Sequence, residues 1–271
     1  MSFDLGFGLE GTHVLVTGGT GAIGSRTVTA FLAAGAKISV FDVKKSHNIE
    51  SLPTDRYAEY IVDISNQEQL KSAFEQAHAK FGLIQVCVAL ASKDLSYINH
   101  HDSITNLPFE QWKSTFDVNV HGTFLTTQTW MQHIKQNILE TTPKNISLII
   151  IGSESGHFGE LGNADYAAGK SAVMFGLVQS LRKDLVQIYP NARVNVVAPG
   201  PVDTEQFHRE CQNNPKQYWI DCQATTALKR PVSIDGVAKS ILFLASENWS
   251  RDIMGQIINV DSGKNGKLLW T

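Results

Sequence analysis

The chain has 271 residues, 42% of them hydrophobic and 18% charged, which suits a soluble globular protein of one large or two small domains with a sizeable core. A net charge of −3 argues against a nucleic-acid-binding or polybasic membrane-surface protein. Three cysteines without a CxxC pair, Cys87, Cys211 and Cys222, argue against a disulfide framework or a cysteine metal centre and suit a reducing compartment. The start, MSFDLGFGLEG, carries an acid and glycines where a signal peptide needs basic and apolar residues, and no apolar run nears membrane-span length. A cytoplasmic protein is expected.

In chain order, the runs THVLVT (12–17), KISVFD (37–42), YAEYIVDI (57–64), LIQVCVALA (83–91), 145–152, RVNVVA (193–198) and QIINV (256–260) read as strands. Helices are expected after the first strand as far as Gly35, over 66–81 with Ser65 or Asn66 as cap, over 109–138, from Asn163 or Asp165 through SLRKDL, and over 234–246. Cys87 falls in an apolar run and reads as core. Strands alternating with helices imply βαβ units and one parallel sheet covered on both faces. No linker, repeat or low-complexity tract interrupts the pattern.

TGGTGAIG, residues 17–24, lies between the first strand and the first helix. Glycines there let a backbone approach a pyrophosphate, and a helix N-terminus favours its charge. Asp42 closes the second strand, where a carboxylate accepts the ribose hydroxyls of NAD and repels the 2′-phosphate of NADP. Asp63 closes the third strand and is placed either to face an adenine or to cap the next helix.

Ser153 follows a buried strand, Tyr166 comes later, and Lys170 stands four residues after Tyr166 on the same helix face. A tyrosine is a poor base at neutrality, and a neighbouring cation favours its phenolate. The three residues together can form a proton-transfer unit, although a tyrosine–lysine pair at this spacing is also common on ordinary helices.

TGGTGAIG at 17–24, Asp42, Asp63, FDVNVHGTF at 116–124, Ser153, Tyr166-x-x-x-Lys170, NVVAPGPVDT at 195–204 and GQIINVDSG at 255–263 together resemble the classical short-chain dehydrogenase/reductase family over almost the whole chain. The resemblance implies an α/β fold: one domain over 1–271, a Rossmann-type doubly wound parallel sheet of about seven strands flanked by helices, with 199–231 as the substrate-binding segment. It implies an NAD(P)-dependent oxidoreductase that interconverts a secondary alcohol and a ketone. Asn119, Ser153, Tyr166 and Lys170 match the catalytic tetrad. Tyr166 is the implied general acid/base, Ser153 the oxygen binder, and Asn119 the holder of a water leading to Lys170. The implied cofactor contacts are Thr17, Gly18, Gly19, Thr20, Gly21, Ala22, Ile23, Gly24, Asp42, Asp63, Ile64, Ala91, Asn119, Tyr166, Lys170, Pro199, Gly200, Val202 and Thr204.

The family's NNAG after the fourth strand reads Ala89-Leu90-Ala91-Ser92 here, which bears on cofactor contacts at 89–92. TGGTGAIG also fits the spacing of the family's extended branch. Residues 136–145 read as a surface insertion. Ser153, Glu154, His157, Leu161 and Phe207 are the expected substrate contacts, and the aromatics of 205–230 either close over a bulky or cyclic substrate or pack their own segment. NAD is expected over NADP. The alternatives are an NADPH-dependent ketoreductase and a protein of this fold turned to non-redox chemistry. His100–His101 lacks a third ligand, so no metal is expected. The tail residues Leu268, Leu269 and Trp270 are placed to dock on a neighbouring subunit or over the pocket. The family implies a homodimer or homotetramer through helices near 109–138 and 166–187, where Gly169 and Gly176 permit close packing.

Overall fold

The runs VLV, ISVF, VCVA and LIII are almost wholly apolar, and strands of that kind are stable only when both faces are covered. The computed structural model describes residues 4–46, 53–138, 143 and 145–267. Strands β1 (His13–Thr17), β2 (Lys37–Asp42), β3 (Tyr57–Ile61), β4 (Val86–Ala89), β5 (Ser147–Ile151) and β6 (Arg193–Pro199) are followed by the short β7 (Val202–Asp203) and β8 (Val232–Ser233), then β9 (Ile257–Val260). The main sheet has seven strands in the order β3-β2-β1-β4-β5-β6-β9, all parallel. The order reverses at β1 and β4, and ligands of open α/β sheets bind at the carboxyl ends of the strands beside such a switch. The short β7 and β8 pair with each other and close the base of 199–231.

The helices are α1 (Ala22–Ala33), α2 (Gln67–Phe81), α3 (Phe109–Phe116), α4 (Thr123–Asn137), α5 (Ser155–Phe158), α6 (Ala164–Ser171), α7 (Val178–Ile188), α8 (Glu205–Asn213), α9 (Pro215–Tyr218), α10 (Ile234–Ala245) and α11 (Glu247–Ser250). Alternation along the strands divides the core in two. Leu15, Leu148 and Ile150 meet Phe74, Trp130, Ile134 and Leu185 from α2, α4 and α7. Val14, Val16 and Ile149 meet Phe31 and Leu244 from α1 and α10. Asn66 caps α2, its Oδ1 accepting the amides of Glu68 and Gln69. Gly35, at φ 80°, follows the end of α1. Among the described residues, no helix is long and apolar enough to cross a membrane.

Three departures from the predicted elements bear on the site. The helix expected over 109–138 is continuous in direction but passes through a π-helical turn, Asp117–Gly122, between α3 and α4. A second π turn, Ala172–Leu177, joins α6 to α7, and a third, Trp219–Gln223, follows α9. The extra residue in such turns re-aims side chains, and they recur at functional sites. The expected surface insertion over 136–145 needs correction at its far end. Asn145 is buried, donating to the Ala245 carbonyl and accepting from Arg193, because a buried guanidinium needs polar partners. Residues 139–142 and 144 lie outside the described residues, as do Leu268, Leu269 and Trp270.

Candidate active site

The turn after β1 is shaped by steric necessity. Gly18 has φ 68° and abuts the backbone of Ala91: a Cβ there would lie 2.8 Å from the Ala91 Cα. A Cβ on Gly24 would lie 2.1 Å from the Gly18 carbonyl oxygen. Helix α1 then starts with neither a side-chain cap nor an acidic residue in its first turn, so its leading amides and dipole are left for an anion. Gly21 and Ala22 are exposed at this tip, Thr20 and Ile23 half-buried, and Gly19 buried against Val40. This cradle fits a dinucleotide pyrophosphate.

Thr17 supplies what the missing NNAG raises in doubt. Its Oγ1 accepts the amides of Leu90 and Ala91, both at 3.1 Å, tying the end of β1 to the ALAS segment. Asp42 is fixed beside the turn, accepting the amides of Thr20 at 3.0 Å and Lys44 at 3.2 Å. Asp63 Oδ1 accepts the Ser65 amide and hydroxyl, a turn leading into the Asn66 cap. Ile64 buries its side chain in the core, against Gly122. On the far side, Pro199 ends β6, the Gly200 amide donates to Val260 O, and Val202 of β7 pairs with Val232 of β8. Thr204 Oγ1 is engaged as the cap of α8, accepting from the Phe207 amide.

Strand β5 delivers Ser153 to the same edge, and α6 brings Tyr166 and Lys170 to it on one face; all three are buried. The Ser153 hydroxyl lies on the same side as that of Tyr166 and favours its ionised form. Ser153 Oγ also accepts from the Ser155 amide at 3.2 Å. Lys170 Nζ donates to Ile151 O at 3.0 Å and stands 5.6 Å from the Tyr166 ring centroid. Asn119 occupies the first π turn, where Oδ1 accepts from the Lys93 amide and Nδ2 donates to the Lys93 carbonyl. The two helices meet at Gly169, whose missing Cβ would sit 3.4 Å from Val120. It packs closely within the chain, while Gly176 faces open space. Met174, from the second π turn, lies against Gly152 and Gly156, with its sulfur accepting the Ser153 amide. No spacing rule points to Met174, because only the folded π turn brings it there.

Burial pushes the Tyr166 phenol well above its ordinary range; the Asp94 charge adds to this and the Ser153 hydroxyl opposes it. Burial also lowers Lys170, to about 8, with Asp94 opposing. Burial therefore outweighs Lys170 in setting the state of Tyr166: desolvation penalises both charged forms, and the ammonium donates to the Ile151 carbonyl. Asp94 is itself exposed, so solvent screens its part.

The expected substrate contacts divide. Glu154 is largely buried, paired with Lys264 at 3.3 Å, and pushed up to about 7 by burial against the opposing lysine charge. His157 Nε2 pairs with Asn259 Oδ1. Leu161 is 78% exposed. Phe207 is buried and its ring packs near Tyr218, which is the segment-packing alternative for that residue. A cleft of about 600 Å³ adjoins this wall, lined in part by His208, Tyr218, Arg230, Asn259 and Asp261. Sequence reading singled out neither Asp94 nor Lys264. His100 pairs with Asn163, and His101 with Gln111; among the described residues no group of three or more His, Cys, Asp or Glu side chains could hold a metal ion.

Comparison with known proteins agrees with this geometry. A family model described as Enoyl-(Acyl carrier protein) reductase matches residues 19–265. The chain is 30% identical over 262 residues to the 3-oxoacyl-(acyl-carrier-protein) reductase FabG of Thermotoga maritima, covering 94% of this chain and 98% of that protein. It is 30% identical over 261 residues to short-chain dehydrogenase reductase 5 of Arabidopsis thaliana, covering 94% and 95%. A crystal structure of a short-chain dehydrogenase/reductase, glucose/ribitol dehydrogenase, from Brucella melitensis superposes with a TM-score of 0.78 at 24% identity, over 97% of this chain and 98% of that one, and shares the fold. The chain belongs to the short-chain dehydrogenase/reductase family and is an NAD(P)-dependent oxidoreductase.

Proposed function

We propose that the chain interconverts a secondary alcohol and a ketone, with NAD(H) preferred, as one domain whose 199–231 segment receives the substrate. The observation that carries this reading is the Ser153–Tyr166 hydroxyl pair with Lys170 behind it, on the sheet edge that holds the uncapped glycine turn. A nicotinamide cofactor bound there would supply or accept the hydride. Everything else falls to the chain. The turn from Thr17 to Gly24 holds the pyrophosphate, Asp42 the adenosine ribose, Asp63 and the Ile64 backbone the adenine, and Ala91 the floor beneath it. Pro199, Gly200, Val202 and Thr204 frame the nicotinamide side, and Lys170 binds its ribose.

Ser153 hydrogen-bonds the reacting oxygen. In reduction Tyr166 gives that oxygen its proton; in oxidation it takes the proton back, and Lys170 stabilises the phenolate electrostatically. Asn119 positions the water that reconnects Lys170 with solvent. Burial keeps Tyr166 in its protonated form at neutral pH, the form that gives the proton in reduction. The Asp42 carboxylate, fixed beside the phosphate turn by two amides, supports NAD through repulsion of a 2′-phosphate.

Glu154, His157 and Leu161 stand on the substrate side. Tyr218 in the adjoining cleft supports a bulky or cyclic substrate. Phe124, Met131, Leu181 and Ile188 line an apolar groove between α4 and α7, which supports a homodimer or homotetramer through those helices. The sparse cysteines without a CxxC pair support a reducing compartment such as the cytoplasm. The test is a panel of cyclic and linear ketones and alcohols, each assayed with NADH or NADPH and their oxidised forms by reduced-nicotinamide absorbance. Turnover of a cyclic ketone with NADH above NADPH supports the reading. Preference for NADPH selects the ketoreductase alternative, and no turnover across the panel, with cofactor bound, selects non-redox chemistry.

A further inference from the structure

We infer that Lys264 is a positioning residue for the reaction: its ammonium clasps the loop of Ser153 to the 219–223 turn, so that the two walls of the substrate site are held together. The inference rests on the roles proposed for Ser153 and Tyr166.

Four observations carry it. Lys264 Nζ lies 3.3 Å from Glu154 Oε1 and donates to the Asp221 carbonyl at 3.0 Å. It therefore joins three separate pieces of chain: the residue after Ser153, the third π turn and the C-terminal strip. Both side chains of the ion pair are mostly hidden, 12% exposed for Lys264 and 13% for Glu154, unlike surface pairs that contribute little.

The strip itself is fastened before it reaches the site. Lys264 bridges Thr226, while the amides of Ala227, Leu228 and Asn265 donate to the carbonyls of Gly263, Ser262 and Thr225. Gly266 abuts the Phe158 ring. Ser262 and Lys229 hold φ of 57° and 55°, a region costly for residues with a Cβ and retained only where the surroundings enforce it.

The Glu154 end is tied to Ser153. The Glu154 amide donates to Pro199 O, and the next residue, Ser155, donates its amide to Ser153 Oγ and its hydroxyl to Glu160. A shift of Glu154 therefore moves the partner of the Ser153 hydroxyl.

Lastly, Glu154 has no second partner: Oε2 is buried without a hydrogen bond. The titratable groups around it are Lys264, Glu160, Asp221, Tyr166 and Cys222. Lys264 alone among them is a cation. Without it a buried carboxylate stands among like charges, and losing one partner of a buried pair is far costlier than replacing both. The loop must then protonate or move.

The test uses the full chain with NADH and whichever cyclic ketone of the panel is turned over fastest. Lys264→Met is expected to raise KM by roughly tenfold or more, as for other coupled buried pairs, with NADH affinity unchanged. The acid limb of kcat/KM that the parent owes to protonation of Glu154 should be lost in this variant, because the ion pair that protonation would break is already gone. Lys264→Arg should restore most of the KM. Glu154→Gln, itself raising KM, should add little on top of Lys264→Met. Hydrogen exchange of the NADH complex should quicken together in 153–158 and 219–223. A Lys264→Met chain with parental KM and pH profile overturns the inference, and so do additive effects of the two substitutions. Should Lys264→Met not fold, Lys264→Arg and Glu154→Gln decide: parental KM in Glu154→Gln overturns the clasp. An active Tyr166→Phe chain overturns the functional reading instead.

Discussion

Acidification should unfold this protein through two buried histidines. His13 bonds through Nδ1 to Gly82 O at 2.8 Å and through Nε2 to Ser39 Oγ at 2.9 Å. His133 accepts the Ile84 amide on Nε2 at 3.1 Å, so a proton arriving there breaks that bond. Both rings are buried, and burial lowers each from 6.5 to about 4. Their folded pKa values lie below the unfolded one, so the unfolded chain takes up protons first as pH falls. Stability is intact above about pH 6.5 and is lost steadily toward pH 4.

At ~1.36 kcal/mol per pH step, moving to about pH 4.5 costs roughly 2–3 kcal/mol per ring, or about 5 for both. That is a large share of the ~5–15 kcal/mol that holds a typical domain. Glu154, raised to about 7, works in the opposite sense, gaining proton-linked stability as pH falls. The contrast between the parent and His133→Gln therefore isolates the ring, because Gln can still accept the Ile84 amide. Urea unfolding at about pH 7.5 and 4.5, followed by circular dichroism, should show the parent losing ~2 kcal/mol more than His133→Gln between the two. Equal losses would refute the role given to His133, and a parent equally stable at both values would refute it for the pair.

Gly24→Ala forces a Cβ to 2.1 Å from Gly18 O and should abolish NADH binding, measured by fluorescence titration, or prevent folding; parental affinity would contradict the cradle. Asp42→Ala should weaken NADH by tenfold or more, ~1.4 kcal/mol, and raise relative use of NADPH in the same titration. Trp130, fully buried with Nε1 donating to Ile84 O, should cost ~3–5 kcal/mol when cut to Ala, read by urea unfolding.

The strands and the glycine turn were legible because they rest on local pattern: apolar runs of strand length, a turn that only glycine can make, and alternation with helices. Ser153, Tyr166 and Lys170 were legible as a spacing, and the structure brings them to one sheet edge. The π turns were not, since an extra residue in Asp117–Gly122 is set by packing across Gly169 and Gly122 rather than by helical period. The state of Tyr166 was only partly legible. The sequence shows a cation one helical turn away but not that both groups are buried, and burial dominates. Met174 and Lys264 were missed because each acts across long sequence separation, one from a π turn and one from a strip pinned to 225–228. Thr17 was read as a strand-end and cofactor-turn residue, while its hydroxyl also fastens the ALAS segment.

The central claim is that Tyr166 moves the proton in a hydride-transfer reaction at a site whose cofactor turn is independent of it. Tyr166→Phe removes one hydroxyl and nothing from the glycine turn. Measured with NADH and the best ketone of the panel, turnover should fall by ~10²–10⁴-fold or more while NADH titrates as in the parent. Near-parental turnover in that variant, with NADH bound, would contradict the account.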